Sequence, residues 1–432
     1  MFKYFHQIWQ APDLRKRILY TLFFLFVFRL AAHLTVPGVN REILARLFEQ
    51  NSLLGVFSAL TGGSMENFSI VLMGLSPYIN ASIIIQLMTV VIPQLETISK
   101  EGAEGTRKLN QYTRLLTVPL AFLQSYGMIL ILNRGAGGQL IAGAHLASTL
   151  IPIMIIVTTG TLFLMWLGEL ITEKGIGNGV SLMIFANIIA GMPTILGRML
   201  GTAQAGDTSK LTYFLGFLAL TIIMLVFVVI ITEGQRNIPI TYATRGVAGQ
   251  GEKSHLPIRV NQAGMIPIIF AISIITFPSV MAQFFQASSS VRLKAIADFI
   301  LRNLNATNPG PTYLIVYFIL IVVFSYFYVS VTFQPDQVAE NIQKRGGFIP
   351  GIRPGRQTAD FLAKVSNRLN LFGGLFLAFV AIVPMLFTSY TTLSKGDLII
   401  SGSGLIIVVG VVLEVLRQID AQLIMHDYDK LY

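Results

Sequence analysis

The side chains best suited to metal binding or proton transfer near neutral pH are five histidines: His6, His33, His145, His255 and His426. None belongs to a His-Glu-x-x-His pattern, the spacing that puts two imidazoles and a carboxylate on one helix face for zinc hydrolysis. The chain has no cysteine, so thiolate ligands and a disulfide framework are excluded. Gly175-Ile176-Gly177-Asn178-Gly179 has the outline of a phosphate loop, but it lacks the Gly-Lys-Ser/Thr ending and follows a hydrophobic run rather than a strand. It reads as a tight turn. Two ionisable residues stand inside apolar sequence: Arg29, and Glu414 three residues before Arg417, for which mutual pairing is expected. Together these residues form no catalytic cluster, no metal site, no cofactor site and no proton relay.

The elements around them explain why. Ten hydrophobic stretches, near 18–36, 68–92, 113–133, 149–171, 180–198, 212–232, 263–285, 312–333, 371–390 and 403–420, are mostly the length that spans a hydrocarbon core of about 30 Å. Of the 432 residues, 53% are hydrophobic and only 12% charged. The expected fold is all-α, a polytopic membrane protein of ten transmembrane helices. The run after Arg15-Lys16-Arg17 exceeds the apolar length of a signal peptide and is expected to be the first membrane helix.

A net charge of +10 would suit a nucleic-acid binder if it were clustered, but it lies between the stretches and orients them instead. With the N-terminus in the cytoplasm, that side receives 21 of the 31 Lys and Arg residues, the other side nine, and Arg29 lies within a span. Both termini are therefore expected in the cytoplasm. Two cytoplasmic loops, 233–261 and 334–368, are longer than a helix connection needs and rich in Gly, Pro and basic residues, which suits an acidic soluble partner. Orientation alone would account for their charge but not for their length.

Ten stretches divide into five and five near residues 201–210, giving expected halves at 1–206 and 207–432. If the halves are related folds, an odd number per half makes them inverted repeats with a working site between them, the expected architecture here. The second stretch is interrupted by Gly74-Leu75-Ser76-Pro77, where proline removes a backbone donor and disfavours helix at the preceding residue. A broken helix at membrane depth is tolerated where it is buried in protein or lines a cavity, so 55–80 is the expected functional centre; an ordinary proline kink is the plainer alternative.

Eight motifs in order carry a family resemblance: Val36-Pro37-Gly38-Val39; Pro77 to Leu87; Lys100-Glu101-Gly102 with Gln111-Tyr112-Thr113-Arg114; Trp166-Leu167-Gly168-Glu169; Gly175 to Gly179; Gly234-Gln235-Arg236; Ala263 to Pro267; and Phe348 to Gly355. Over nearly its whole length the chain resembles the SecY family, channel subunits of the bacterial Sec protein translocase in the cytoplasmic membrane. The resemblance implies a protein-conducting channel, not an enzyme. It implies an apolar pore ring of Leu75, Ile79, Val180, Ile184, Ile269 and Ile407, which periodicity alone would leave as core or lipid-facing residues. It implies a plug at 56–68, with Val56, Phe57, Leu60, Met65 and Phe68. It implies a lateral gate between the second and seventh stretches, with Asn80, Ser273 and Phe277, and Gln124 nearby. Arg245, Lys344, Arg345, Arg353 and Arg356 fall where the family docks the SecA motor ATPase or the ribosome. The further partners implied are SecE-like and SecG-like small membrane subunits, signal sequences, unfolded polypeptide and lipid. The loop at 242–253 is shorter and less basic than the family pattern, which weakens the expectation of ribosome affinity there. An ion-coupled secondary transporter would share inverted halves and a broken helix, and a lipid-modifying enzyme would share the spans; the first needs ionisable groups within the spans and the second a catalytic cluster.

Overall fold

The computed structural model describes residues 8–50, 64–137, 140–141, 147–204, 208–242, 252–285, 290–304, 310–390 and 402–429. Helix α1 is Pro12–His33 and α2 is Arg41–Gln50. Then follow α3, Ser76–Val91, and α4, Pro93–Lys100, set at 103° to each other across Ile92. Helices α5, Ala103–Gly135, α6, Ala147–Lys174, α7, Gly179–Gln204, and α8, Thr208–Glu233, complete the first series. Strands β1, Gln235–Tyr242, and β2, Glu252–Arg259, precede α9, Ile266–Phe285, α10, Val291–Asn303, and α11, Pro311–Thr332. The chain ends with α12, Pro335–Lys344, β3, Gly347–Phe348, α13, Arg356–Tyr390, and α14, Gly402–Asp429.

Each of the ten apolar stretches overlaps one of these helices, the second only from Ser76 on. Among the described residues, α5, α6, α8, α11, α13 and α14 are long and apolar enough to cross a bilayer unaided, and the bent pair α3 and α4 passes when taken as one span. Helices α7 and α9 carry shorter apolar runs, Gly179–Pro193 and Ile266–Thr276. This is a polytopic helical membrane architecture.

One central apolar cluster takes in residues from α1, the segment before α3, α3, α6 to α9, α11, α13 and α14. A second joins Val36, Met65, Phe68 and Leu72 to the far ends of α5 and α6. A third lies outside the membrane helices, where β1, β2, β3, α12 and the first turns of α13 enclose Ile238, Ile240, Ile258, Ile342, Ile349 and Leu362. The two long basic loops are thus not separate appendages. They fold into one unit around a sheet of order β2-β1-β3, in which β3 from the second loop pairs with the end of β1 from the first, Thr241 opposite Phe348. Helix α13, 35 residues or about 52 Å long, runs from this unit into the central cluster.

The segment 64–75 is non-helical and mostly buried. Its backbone groups are satisfied locally and by the chain after α1: the N–H of Val36 donates to the carbonyl of Phe68 (2.9 Å), and that of Ile70 to Leu34 (2.8 Å). Phe68 is fully buried with φ 43°, an unfavourable region for a side-chain-bearing residue, which its packing holds in place. The other side of the segment lies against Gly160 of α6, where a Cβ would meet the Ile70 carbonyl oxygen at 1.9 Å. Because that neighbour is backbone it cannot rotate away. Gly160→Ala should therefore destabilise the protein by about 1–3 kcal/mol in equilibrium unfolding in detergent. Gly197→Ala, with open space around the added methyl, should change stability by less than about 1 kcal/mol.

Candidate functional site

The break at Gly74 to Pro77 sets the geometry of the centre. Gly74 has φ 55°, Pro77 occupies the first turn of α3, and α3 begins only at Ser76, so 16 residues, about 24 Å, remain helical in the second apolar stretch. The rest of that stretch is irregular backbone inside the bundle. The interruption expected at Gly74 to Pro77 is where the helix begins, but the part of the stretch before it, 68–75, is turns rather than a second helical piece.

All six residues of the implied ring lie in the central cluster. Leu75 and Ile407 are buried, while Ile79, Val180, Ile184 and Ile269 are half-buried and pack against that cluster. They come from α3 and the turn before it, α7, α9 and α14. The pairs 75/79 and 180/184 each sit four residues apart, one above the other.

Of the implied plug, Val56, Phe57 and Leu60 lie outside the described residues. Met65 and Phe68 are almost wholly buried in the second cluster, so they anchor the segment between α5 and α6.

The helices implied to form a gate do meet: α9 packs against both α3 and α5, but only along a short seam, whereas its packing on α11 is extensive. Asn80 of α3, Gln124 of α5 and Ser273 of α9 are half-buried, and Phe277 lies in α9 with its side chain outside the described residues. Away from that seam, α7 packs against α8 and α14. The turn between α6 and α7 is stapled there by other helices. The Ile176 N–H donates to Thr21 Oγ1 of α1 (3.0 Å), the Gly177 N–H to Gln418 Oε1 of α14 (2.6 Å), and the Gly179 N–H to Thr172 Oγ1 (2.8 Å). Asn178 caps α7 through Ser181. The glycine run is a tight turn, as read.

Arg114 and Glu169 fall inside the third and fourth apolar stretches, so Arg29 and Glu414 are not the only ionisable residues there, and Glu169 accepts a hydrogen bond from Arg114 Nε at 2.6 Å. Tyr78 lies within the field of both, so three of the eight motifs converge on that pair. Arg417 pairs with Glu233 at the end of α8 (2.5 Å) and donates to the Thr232 carbonyl, rather than pairing mainly with Glu414 as expected. Burial lowers the nearby Arg259 guanidinium from its ordinary value, Arg417 adds to the shift, and Glu233 and Glu414 oppose it. Among the described residues no group of three or more His, Asp or Glu is placed to hold a metal ion.

Arg345, Arg353 and Arg356 are exposed on the extramembrane unit, Lys344 pairs with Glu340 one turn earlier (2.7 Å), and Arg245 lies outside the described residues. Three left-handed glycines, Gly346, Gly351 and Gly355, turn the chain back on itself, and Thr358 Oγ1 donates to the Arg353 carbonyl (3.0 Å) at the entry to α13.

The family model for SecY matches residues 69–416. The protein translocase subunit SecY of Bacillus licheniformis is 41% identical over 436 residues, covering 99% of each chain, and that of Bacillus subtilis is 40% identical with the same coverage. The chain belongs to the SecY family. SecY-like architecture extends to distant solved structures: a protein-conducting channel superposes with TM-score 0.63 at 18% identity, covering 94% of this chain and 91% of that one. Sec61 in a canine ribosome-channel complex from the endoplasmic reticulum superposes with TM-score 0.60, again at 18% identity with 94% and 91% covered. The resemblance carried by the motifs is therefore borne out for SecY membership and for the fold.

Proposed function

We propose that this chain is the channel through which unfolded secretory polypeptide crosses the bacterial cytoplasmic membrane, and from which apolar segments pass sideways into lipid. The observation that carries the reading is the irregular segment 64–75 inside the helical bundle, next to the apolar ring positions Leu75 and Ile79, since such backbone at membrane depth is sustained only where it is buried in protein or lines a cavity. Leu75, Ile79, Val180, Ile184, Ile269 and Ile407 form the constriction. Side chains without charge hold no ion there, and a narrow apolar neck resists water when empty. Residues 56–68 serve as the plug, anchored through Met65 and Phe68.

The two halves, 1–206 and 207–432, act as the sides of a clamp. Their short seam at α3, α5 and α9 is the gate; the packing of α7 on α8 and α14, with the stapled turn, is the hinge. The unit of β1, β2, β3 and α12 stands in the cytoplasm with both termini. It offers Arg245, Lys344, Arg345, Arg353 and Arg356 to a SecA-like motor or to the ribosome. SecE-like and SecG-like subunits complete the assembly. An ion-coupled transporter is disfavoured because the ion pairs Arg114 with Glu169 and Arg417 with Glu233 sit near the edges of their apolar stretches, toward the basic unit, rather than midway along them.

Vesicles containing the chain should admit an unfolded secretory polypeptide, read as protection from added protease; no protected product would overturn the reading. Replacing Ile79, Ile184, Ile269 and Ile407 together by Ser should raise ion leak in planar bilayers several-fold while passage continues. Unchanged conductance would remove these four side chains from the seal.

A further inference from the structure

On the proposed channel reading, in which α9 crosses the bilayer, α10 lies on the face opposite the sheet unit, since α9 separates the two in sequence. It does not project away from the bundle. It packs along α9, and Ser279 Oγ donates to the Leu304 carbonyl at 2.6 Å. Ser279 stands six residues (285 − 279) before the end of α9, about 9 Å back along its axis, so the end of α10 is drawn back alongside α9.

The helix presents three kinds of surface. Ala297 is fully buried toward α9, and Lys294 and Asp298, four residues apart, form a polar edge. The remaining side carries Ile296, 54% exposed, and Phe299, 68% exposed. Arg292 stands one turn before Ile296, and Arg302 stands one turn after both Phe299 and Asp298, where the apolar side meets the polar edge; both arginines are exposed. An apolar pair bracketed by two arginines matches the cross-section of a lipid leaflet, with rings and branches entering the acyl boundary while guanidinium forks reach up to phosphate. Over 13 residues the helix has three basic side chains and one acidic, which favours anionic headgroups.

We propose that α10 is an interfacial helix that seats Ile296 and Phe299 in the leaflet opposite the sheet unit and holds anionic phospholipid headgroups with Arg292 and Arg302. Because it is tied to α9 through Ser279, it fixes the depth of that end of α9 in the bilayer.

The absence of native cysteine allows single-site probes. Ile296→Cys, Phe299→Cys and Lys294→Cys, each labelled with an environment-sensitive fluorophore in the full chain, would be compared in vesicles of phosphatidylglycerol with phosphatidylcholine. Spin-labelled lipid should quench positions 296 and 299 several-fold more than 294, and aqueous iodide should show the reverse order. Equal iodide quenching at all three sites would place the helix in water. Protection of 296 and 299 from both quenchers would mean that protein covers them. Either outcome overturns the proposal. Adding Arg292→Gln and Arg302→Gln should reduce lipid quenching at 299 several-fold with phosphatidylglycerol present and leave it unchanged in phosphatidylcholine alone, with parental thermal unfolding showing that the fold is intact. Identical quenching in the two lipids, before and after the substitutions, would remove the headgroup contact.

Discussion

Oxidising a chain that carries Asn80→Cys and Phe277→Cys should bring secretion and signal-sequence insertion down to background, and reduction should restore both. The expectation rests on the short seam where α9 meets α3 and α5, which gives little contact to hold the halves together on that side. A signal sequence with ten Leu-like residues gains roughly 3–6 kcal/mol on entering lipid, enough to shift a two-state seam of this size. A disulfide forms when Cα atoms stand about 4.4–6.8 Å apart and then clamps the two helices covalently. With no native cysteine, cross-linking reports this pair alone. Failure to cross-link under any condition would remove the pairing of these positions. Efficient cross-linking with full translocation would show that α3 and α9 need not separate.

Arg353→Glu should abolish motor-driven translocation while leaving the unfolding transition of the membrane helices unchanged. Arg353 is exposed between Gly351 and Gly355, both left-handed, so its backbone position is fixed while its donors remain free to meet a partner's carboxylates or carbonyls. Its carbonyl is held by Thr358 at the start of α13, whose 35 residues lead directly into the central cluster. A load applied at Arg353 therefore reaches the interior through one continuous helix. Charge reversal removes the recognition without touching a buried contact. Translocation at the parental rate in a motor-dependent assay would assign Arg353 to ordinary loop solvation.

Much of this was legible in the sequence, and for a definite reason. In a membrane the backbone must be satisfied within each segment, so apolar length locates helices with few alternatives, and Gly74 to Pro77 marked where helix fails. The sheet was not legible. Ile238 and Ile240 alternate with polar neighbours, as do Leu256 and Ile258, but Pro239 and Pro257 stand inside those runs and argue against strand. The structure shows why they are tolerated. β3 pairs with β1 only at Thr241 and Tyr242, so Pro239 sits on a stretch of β1 whose other side is open, and Pro257 lies on the edge strand β2. The ion pairs were missed for a different reason. Arg114 and Glu169 are 55 residues apart and Glu233 and Arg417 are 184 apart, and no periodicity within a segment reports a partner on another helix. The ring and gate positions came from family resemblance, because apolar residues lining a passage have the same spacing as residues packed in a core.

The pairing of β1 with β3 also sets a timetable for biosynthesis. Thr241 waits 107 residues (348 − 241) for Phe348, and α9, α10, α11 and α12 lie between them. At about 5–20 residues per second the last strand is made roughly 5–20 s after the first, so for that time β1 and β2 have only each other, and a two-stranded hairpin alone is marginal in water. The nascent chain thus has a period in which later spans are still being made while its sheet unit is incomplete, and a chain stalled anywhere between these strands would leave Thr241 and Tyr242 without their partners in β3.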